Sequence, residues 1–295
     1  MLSLNAALAH VNGDIDRRFD ELLAVPDDPS AKLSRAMRHA TIGCGKRLRA
    51  LLVFATADLL DVDPECAGRV ALAIECVHTY ALIHHDLPAI DNGDCRGGRP
   101  AVHKIYDDAT AILAGDCLHA LAFEILGDPL THPDPSVRAD LVLDLARAAG
   151  PAGMVGGQVM DLEAGGAWFD LNTVTRWQAL KTGALIGAAV EACAIAGHVP
   201  AQRRMRLRGY ARDIGLAFQI ADDLLDGEGE EELAGRNLRM VNGGDRTDFR
   251  SQLDPDRARA QARMLTDQAI SHLHIFGQKA DLLRAIARHA LERDC

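Results

Sequence analysis

The sequence has few aromatic residues, no paired-cysteine motif and no excess of positive charge. Aromatics make up 4% of the 295 residues, and sustained alternation of apolar and polar residues is hard to find, so a sheet-based core is not expected. None of the seven cysteines forms a C-x-x-C pair, which favours reduced, mostly buried thiols in a cytoplasmic protein. A net charge of −10 argues against nonspecific binding of nucleic acid.

Long uncharged apolar runs are also missing. The sequence contains no run of about 18 such residues, the length that a transmembrane helix needs. Its N-terminus lacks the basic start and apolar block of a secretory signal. We therefore expect no stable membrane insertion.

Helical periodicity is present along most of the chain. Segments such as LVLDLARAAG (141–150) and DLLRAIARHALE (281–292) are amphipathic at helical spacing, and short Pro-, Gly- and Asp-rich breaks separate the helical segments. No break is long or polar enough to indicate a linker between domains. We predict an all-α fold of ten or more helices, forming a single domain over residues 1–295.

Two acidic stretches interrupt the apolar helices. The first, residues 82–104, contains Asp86, Asp91 and Asp94, and the second places Asp222 and Asp226 four residues apart on one helix face. Like charges at that spacing repel, and a hard cation such as Mg²⁺ that bridges carboxylates to a diphosphate would stabilise them. A solvated helix end is the alternative for either stretch alone.

Seven short motifs occur in an order that resembles the order of motifs in one enzyme family. They are Gly45-Lys46-Arg47-Leu48-Arg49, Glu75-Cys76-Val77-His78, the first acidic stretch, Ala114-Gly115-Asp116, the segment from Gly153 to Glu163, Lys181-Thr182-Gly183, and Gly215 to Asp226. The chain resembles the trans-prenyl diphosphate synthases, the farnesyl and geranylgeranyl diphosphate synthase family. The resemblance implies a helical bundle around a deep central cavity (the isoprenoid synthase fold), with both acidic stretches facing that cavity. It further implies a homodimer, with a hetero-oligomer as the alternative.

The resemblance also implies an activity and its residues. An allylic diphosphate ionises with the help of Mg²⁺ and is attacked by the double bond of isopentenyl diphosphate. The implied metal ligands are Asp86, Asp91, Asp222, Asp223 and Asp226, with His85 in the place of the first acid. The allylic diphosphate would contact Arg96, Lys181, Thr182, Gln219 and Arg236, and isopentenyl diphosphate would contact Lys46, Arg49 and His78. The implied catalytic set is Asp86, Asp91, Lys181, Asp222 and Asp226.

Three departures from the family pattern fall on the chemistry. His85 replaces a carboxylate, and imidazole is a worse ligand for Mg²⁺. Gly97 replaces the second of two arginines, on the isopentenyl diphosphate side. Asp245 lies in the segment that corresponds to the family's late Gly-Lys-Ser-Thr element, and it adds negative charge there.

Several functions therefore stay open. The first is a synthase whose product has about fifteen carbons, because Tyr80 precedes the first motif where the family sets chain length. The others are a terpene synthase-like relative that ionises an allylic diphosphate without isopentenyl diphosphate, and a weakly active partner subunit of another synthase. A metal phosphohydrolase, suggested only by His85-Asp86, ranks last.

Overall fold

The computed structural model describes residues 3–164, 170–234 and 254–291, with side chains for 3–164, 170–224 and 254–291. Within these ranges the chain forms thirteen α-helices, one π-helix, one 3₁₀-helix and a hairpin of two short strands. The all-α prediction is confirmed. By its contacts the chain divides into two compact units, residues 1–145 with 192–198, and residues 146–191 with 199–295.

The first unit contains the N-terminal helices and the hairpin. Its elements are α1 (Leu4–Leu22), α2 (Ala31–Thr41), α3 (Leu48–Leu60), α4 (Pro64–His85), β1 (Cys95–Arg96), β2 (Arg99–Pro100), α5 (Val102–Ile105), α6 (Asp108–Gly127) and most of α7 (Pro135–Ala149). Helix α4 packs against α3 and α6 and is buried along most of its length. It is the element that carries the first acidic stretch.

Local sequence signals set both ends of α4. The Asp63 carboxylate accepts a hydrogen bond from the Cys66 N–H at 2.9 Å, and Pro64 fills the first helical turn, where no N–H is needed. The helix ends at His85, three residues before Pro88, as the sequence predicts. The first acidic stretch therefore begins at the C-terminal end of a buried helix.

The second unit is built around one long helix. Its elements are α8 (Met154–Ala164), α9 (Leu171–Gln178), the π-helix Ala179–Gly183, most of α10 (Ala184–Ala196), α11 (Ala201–Ala234), α12 (Pro255–His272), the 3₁₀-helix His274–Ala280 and α13 (Asp281–His289). Helix α11 packs against α12. Val174 and Trp177 of α9 and Ile220 of α11 belong to an apolar cluster that also includes residues of α12. The second acidic stretch lies on α11.

Apolar composition and burial do not coincide on every helix. Among the described residues, three helical stretches are long and apolar enough to cross a membrane: Pro64–His85, Asp108–Gly127 and Leu171–Ala196. In α4, 78% of the apolar window is buried within the protein, against 44% in α6. The apolar composition of α4 is thus accounted for by core packing, whereas α6 exposes Ile112 and Leu113.

The cysteines follow the expected pattern only in part. The six described cysteines are free thiols. Cys66, Cys76 and Cys193 are buried, and burial raises the pKa of the Cys66 thiol to about 11. Cys95 is exposed on the hairpin, so the expectation that most thiols are buried holds for half of them.

Candidate active site

The first acidic stretch forms a compact turn after α4. Asp86 caps the helix and is 3% exposed, and the Asp91 N–H donates to the His85 carbonyl at 3.1 Å. His85 Nδ1 lies 3.7 Å from Asp91 Oδ2 and 4.0 Å from Asp86 Oδ1. The structure therefore brings together the three residues that the sequence assigns to the first metal site.

Arg96 holds the carboxylate of Asp86. Its Nε donates to Asp86 Oδ2 at 3.3 Å and its Nη2 to Asp86 Oδ1. This pairing raises the pKa of Arg96, mainly through the hydrogen bond to Asp86. A nearly buried carboxylate is thus neutralised by the residue predicted to grip the allylic diphosphate.

The hairpin that carries Arg96 has a tight two-glycine turn. Gly97 and Gly98 have φ values of 56° and 78°, as two-residue hairpin turns require. On the second strand, Arg99 Nη1 donates to the Ile42 carbonyl at 2.8 Å and lies 3.1 Å from Cys44 Sγ. Arg99 is therefore engaged with the loop before α3 and does not replace the arginine missing at Gly97.

That loop contains the Gly-Lys-Arg-Leu-Arg motif, and its basic residues have different environments. Lys46 is exposed. Arg47 is 5% exposed and donates to Glu75 Oε2 at 3.1 Å and to Asp16 Oδ1 at 3.0 Å. Sequence reasoning assigned no role to Arg47. The available signal was Glu75, an acid inside an apolar helix, which needs a buried cationic partner.

Arg49 and His78 lie together, as predicted for the isopentenyl diphosphate site. Arg49 Nη1 is 3.2 Å from His78 Nε2. Burial, with a smaller effect from Arg49, Arg47 and Arg96, holds the pKa of His78 well below its usual value. Arg49 and Arg96 beside a neutral imidazole supply hydrogen-bond donors that suit a diphosphate.

The second unit places Lys181 in the π-helix. Lys181 Nζ lies 2.5 Å from Asp161 Oδ2 on α8, and Gln158 Nε2 donates to the same oxygen at 3.3 Å. A Cβ added at Gly157 would lie 2.3 Å from the Lys181 backbone nitrogen, so only glycine allows α8 this approach. π-helical turns are often found at functional sites, and this one carries two predicted ligands of the allylic diphosphate.

A chain of hydrogen bonds connects the π-helix to the second acidic stretch. The Thr182 hydroxyl donates to Gln219 Oε1 at 2.8 Å, and Gln219 Nε2 donates to Asp223 Oδ1 at 2.7 Å. Asp223 is 8% exposed, and Asp222 is half-buried beside it on α11. These residues lie together in the second unit.

Three predicted positions lie partly or wholly outside the described residues. Asp226 is within α11, but its side chain is not among those described. Arg236 and the segment around Asp245 lie outside the described residues altogether.

The oxygen donors fit a Mg²⁺ ion that substrate and water help to bind. Within the described parts of the chain, no group of three or more His, Cys, Asp or Glu side chains could hold a metal ion alone. Mg²⁺ commonly takes one or two carboxylates and completes its shell with water and substrate phosphates. Asp91 on the first stretch and Asp222 on the second supply such carboxylates, whereas the imidazole of His85 is a poorer donor for this ion.

Comparison with known proteins places these features in one family. Residues 30–244 match the Polyprenyl synthetase family, and the chain belongs to it. It is 40% identical over 258 residues to the farnesyl diphosphate synthase of Geobacillus stearothermophilus, covering 87% of this chain and 85% of that one. It is 38% identical to the farnesyl diphosphate synthase of Escherichia coli strain K12, covering 88% of each chain.

A solved structure extends the similarity to the fold. The crystal structure of an FPP/GFPP synthase from Zymomonas mobilis is 52% identical, covers 98% of each chain and gives a TM-score of 0.90. The all-α isoprenoid synthase fold predicted from the motifs is confirmed. The protein is a prenyltransferase of the short-chain class to which these relatives belong.

Proposed function

We propose that this prenyltransferase joins an allylic diphosphate to isopentenyl diphosphate in a Mg²⁺-dependent reaction, giving a product of about fifteen carbons. The observation that carries the proposal is the contact between Arg49 and His78, with Arg96 beside the carboxylates at the end of α4. These side chains can bind the diphosphate of isopentenyl diphosphate, which stays in the product. The carboxylates would act on the allylic diphosphate, which leaves.

Lys181 would exchange its partner when the allylic diphosphate binds. In the structure its ammonium is paired with Asp161 at 2.5 Å. A diphosphate carries more charge than one carboxylate and would compete for the ammonium, helped by the Thr182 hydroxyl on the same π-helix. We assign Lys181 and Thr182 to binding and orienting the allylic diphosphate, and Gln219 to holding Asp223 in place.

Mg²⁺ would be held by Asp86 and Asp91 of the first acidic stretch and by Asp222 and Asp226 of the second. When bound, it would neutralise charge on the departing diphosphate. Asp86 would have to leave Arg96, which then becomes available to the same diphosphate. His85 occupies the position of one further carboxylate, so the first acidic stretch has one negative charge fewer than the family pattern.

The first test measures products. Purified protein with Mg²⁺ is given dimethylallyl, geranyl or farnesyl diphosphate, each with and without isopentenyl diphosphate. We expect elongated diphosphates only when isopentenyl diphosphate is present, and no reaction after removal of Mg²⁺ with EDTA. Diphosphate release that does not need isopentenyl diphosphate would contradict the proposal.

Two variants test the metal-binding assignment. Asp222→Ala should abolish turnover because a carboxylate ligand is lost, and Asp267→Ala, an exposed aspartate on α12, is its control. His85→Asp should lower the Mg²⁺ concentration needed for half-maximal rate, because it restores an oxygen ligand. Full activity of Asp222→Ala would overturn the assignment of the second stretch.

A second candidate function is favoured by Gly97. The position of the family's second arginine is a turn glycine, and Arg99 is engaged elsewhere, so the isopentenyl diphosphate site has one cation fewer. An enzyme that only ionises its allylic substrate would tolerate that loss. The same product assay separates the two functions.

We further propose a cytoplasmic homodimer. The apolar residues Ile112 and Leu113 on α6 are 44% and 55% exposed, and an isologous contact through this helix would cover them. Light scattering on the purified protein, compared with an Ile112→Lys, Leu113→Lys variant, tests the assembly. A wild-type monomer would overturn it.

A further inference from the structure

The contact between Arg49 and His78 fixes the protonation state of the imidazole. Arg49 Nη1 lies 3.2 Å from His78 Nε2. A guanidinium group has donors but no acceptor, so Nε2 must accept this hydrogen bond and cannot carry a proton. The imidazole is therefore neutral, and its single proton resides on Nδ1.

The charges around His78 favour this neutral form. Arg47 and Arg49 approach it from the start of α3, and Arg96 approaches from the hairpin. Burial and these three positive groups oppose a positive charge on the ring.

The neighbouring acids are engaged with those arginines or lie along a different part of α4. Asp16 of α1 and Glu75 of α4 both bind Arg47. On α6, Asp116 acts on His84 and His119, which are further along α4 and on α6 itself. Asp86, at the end of α4, likewise binds Arg96. The net effect of the arginines is still to disfavour the protonated ring, and a bound anion would oppose that effect.

We propose that binding of isopentenyl diphosphate is coupled to uptake of a proton by His78. The inference rests on the proposed function, since it deepens the isopentenyl diphosphate site. On binding, a proton from solvent is added to Nε2, which changes from acceptor to donor and contacts a phosphate oxygen. Arg49 Nη1 then loses its contact with the imidazole and donates to the diphosphate as well.

The coupling has a defined sign. The complex binds one proton more than the free protein, so affinity for the diphosphate must fall as pH rises through the pKa of His78 in the complex. A purely structural role for His78 would change affinity without this dependence on pH.

Calorimetry tests the proton count. Isopentenyl diphosphate is titrated into the full-length protein with Mg²⁺ and no allylic substrate, at pH 7.5, in buffers with different ionisation enthalpies. The slope of observed heat against ionisation enthalpy gives the protons taken up per diphosphate. We expect wild type to take up about one proton more than His78→Asn, since asparagine accepts from Arg49 but does not titrate.

The matched control is His119→Asn. His119 also lies in the first unit, and burial lowers its pKa too, but it packs against Tyr80 rather than the arginines. Its variant should keep the wild-type proton count. Equal counts for wild type and His78→Asn would overturn the inference while leaving the proposed function intact, whereas no binding of isopentenyl diphosphate would overturn both.

A spectroscopic measurement on the wild type avoids dependence on the variants. In protein containing ¹⁵N-histidine, His78 should show an unprotonated Nε2 before ligand is added and a protonated Nε2 after addition of isopentenyl diphosphate. An Nε2 signal that does not change on binding would overturn the inference.

Discussion

Replacing Gly97 with arginine would have two opposing effects, a gain in diphosphate binding and a loss of stability. Replacing it with arginine adds a cation on the isopentenyl diphosphate side, and one charge-assisted contact is worth about 1.5–3 kcal/mol. Its φ of 56° strains any side chain, at a cost of about 1–2 kcal/mol. For Gly97→Arg we expect the KM for isopentenyl diphosphate to fall up to about tenfold. The Tm should fall by a few degrees, and steady-state kinetics and thermal unfolding measure both effects.

The neighbouring glycine offers a matched control. Gly98 has a φ of 78°, and an added Cβ would meet nothing within 4 Å at either position. Gly98→Arg should therefore destabilise the turn similarly and leave the KM unchanged. An equal fall in KM for both variants would show that added positive charge, and not the position of the missing arginine, explains the gain.

Individual side chains of the site were predictable from the sequence only in part. The motifs predicted that His85, Asp86 and Asp91 come together, as do Arg49 and His78, and the structure brings both groups together. They could not predict the partners that these charges take without ligand. The pairs Arg96–Asp86 and Lys181–Asp161 form because partly buried charges pair with the nearest counter-charge, and which one is nearest depends on tertiary contacts.

Helix α8 and the π-helix meet so closely that one methyl group should separate them. A Cβ at position 157 would lie 2.3 Å from the Lys181 backbone nitrogen and 2.6 Å from its Cα. Backbone cannot yield as a flexible side chain would, so Gly157→Ala should cost about 1–3 kcal/mol and displace Lys181. We expect at least a tenfold loss in kcat/KM for the allylic substrate, measured together with Tm.

Gly187 provides the comparison for that variant. It lies in α10, and an added Cβ there would meet nothing within 4 Å. Gly187→Ala should be neutral or stabilising by up to about 1 kcal/mol, because alanine is the better helix former. If Gly157→Ala behaved in the same way, the close approach would not be needed to position Lys181.

The π-helix was not predictable from periodicity. Residues 171–196 form one continuous helical stretch that contains an apolar 18-residue window, and the spacing of its apolar residues does not reveal the π-helical turn. The sequence carried only the Lys181-Thr182 motif, which identified the residues but not the backbone that presents them.

Helices α4 and α6 meet through an aromatic cluster that we expect to limit product length. Tyr80 is 8% exposed, and its ring centroid lies 4.6 Å from that of His119 and 5.7 Å from that of His84. Tyr80→Ala should open space and lengthen the product by one or more five-carbon units, at a stability cost of about 3 kcal/mol. Tyr80→Phe keeps the ring and should keep the product. Chromatography of the dephosphorylated products measures both, and an unchanged distribution for Tyr80→Ala would count against the assignment.

For the whole molecule, the titrating groups predict a loss of stability in acid that occurs in two stages. Burial lowers the pKa of His78 and His119, so the unfolded chain binds more protons than the folded one once the pH falls below their usual values near 6.5. Unfolding is therefore favoured from about pH 6.5 downwards.

The second stage belongs to the carboxylates. Hydrogen bonds from Lys32 and from the Thr110 N–H lower the pKa of Asp107 to about 2, and Arg18 lowers the pKa of Glu65. Groups with a depressed pKa stabilise the fold above their unfolded pKa values near 4, and that contribution is lost as pH falls through the folded pKa values.

Thermal unfolding measured from pH 8 to pH 3 should show Tm falling first below pH 6.5 and again below about pH 4. The double variant His78→Asn, His119→Asn should reduce the first fall and keep the second, because burial lowers the pKa of both imidazoles in the folded protein. A wild-type Tm that is constant between pH 7 and pH 5 would show that burial does not hold these two imidazoles neutral.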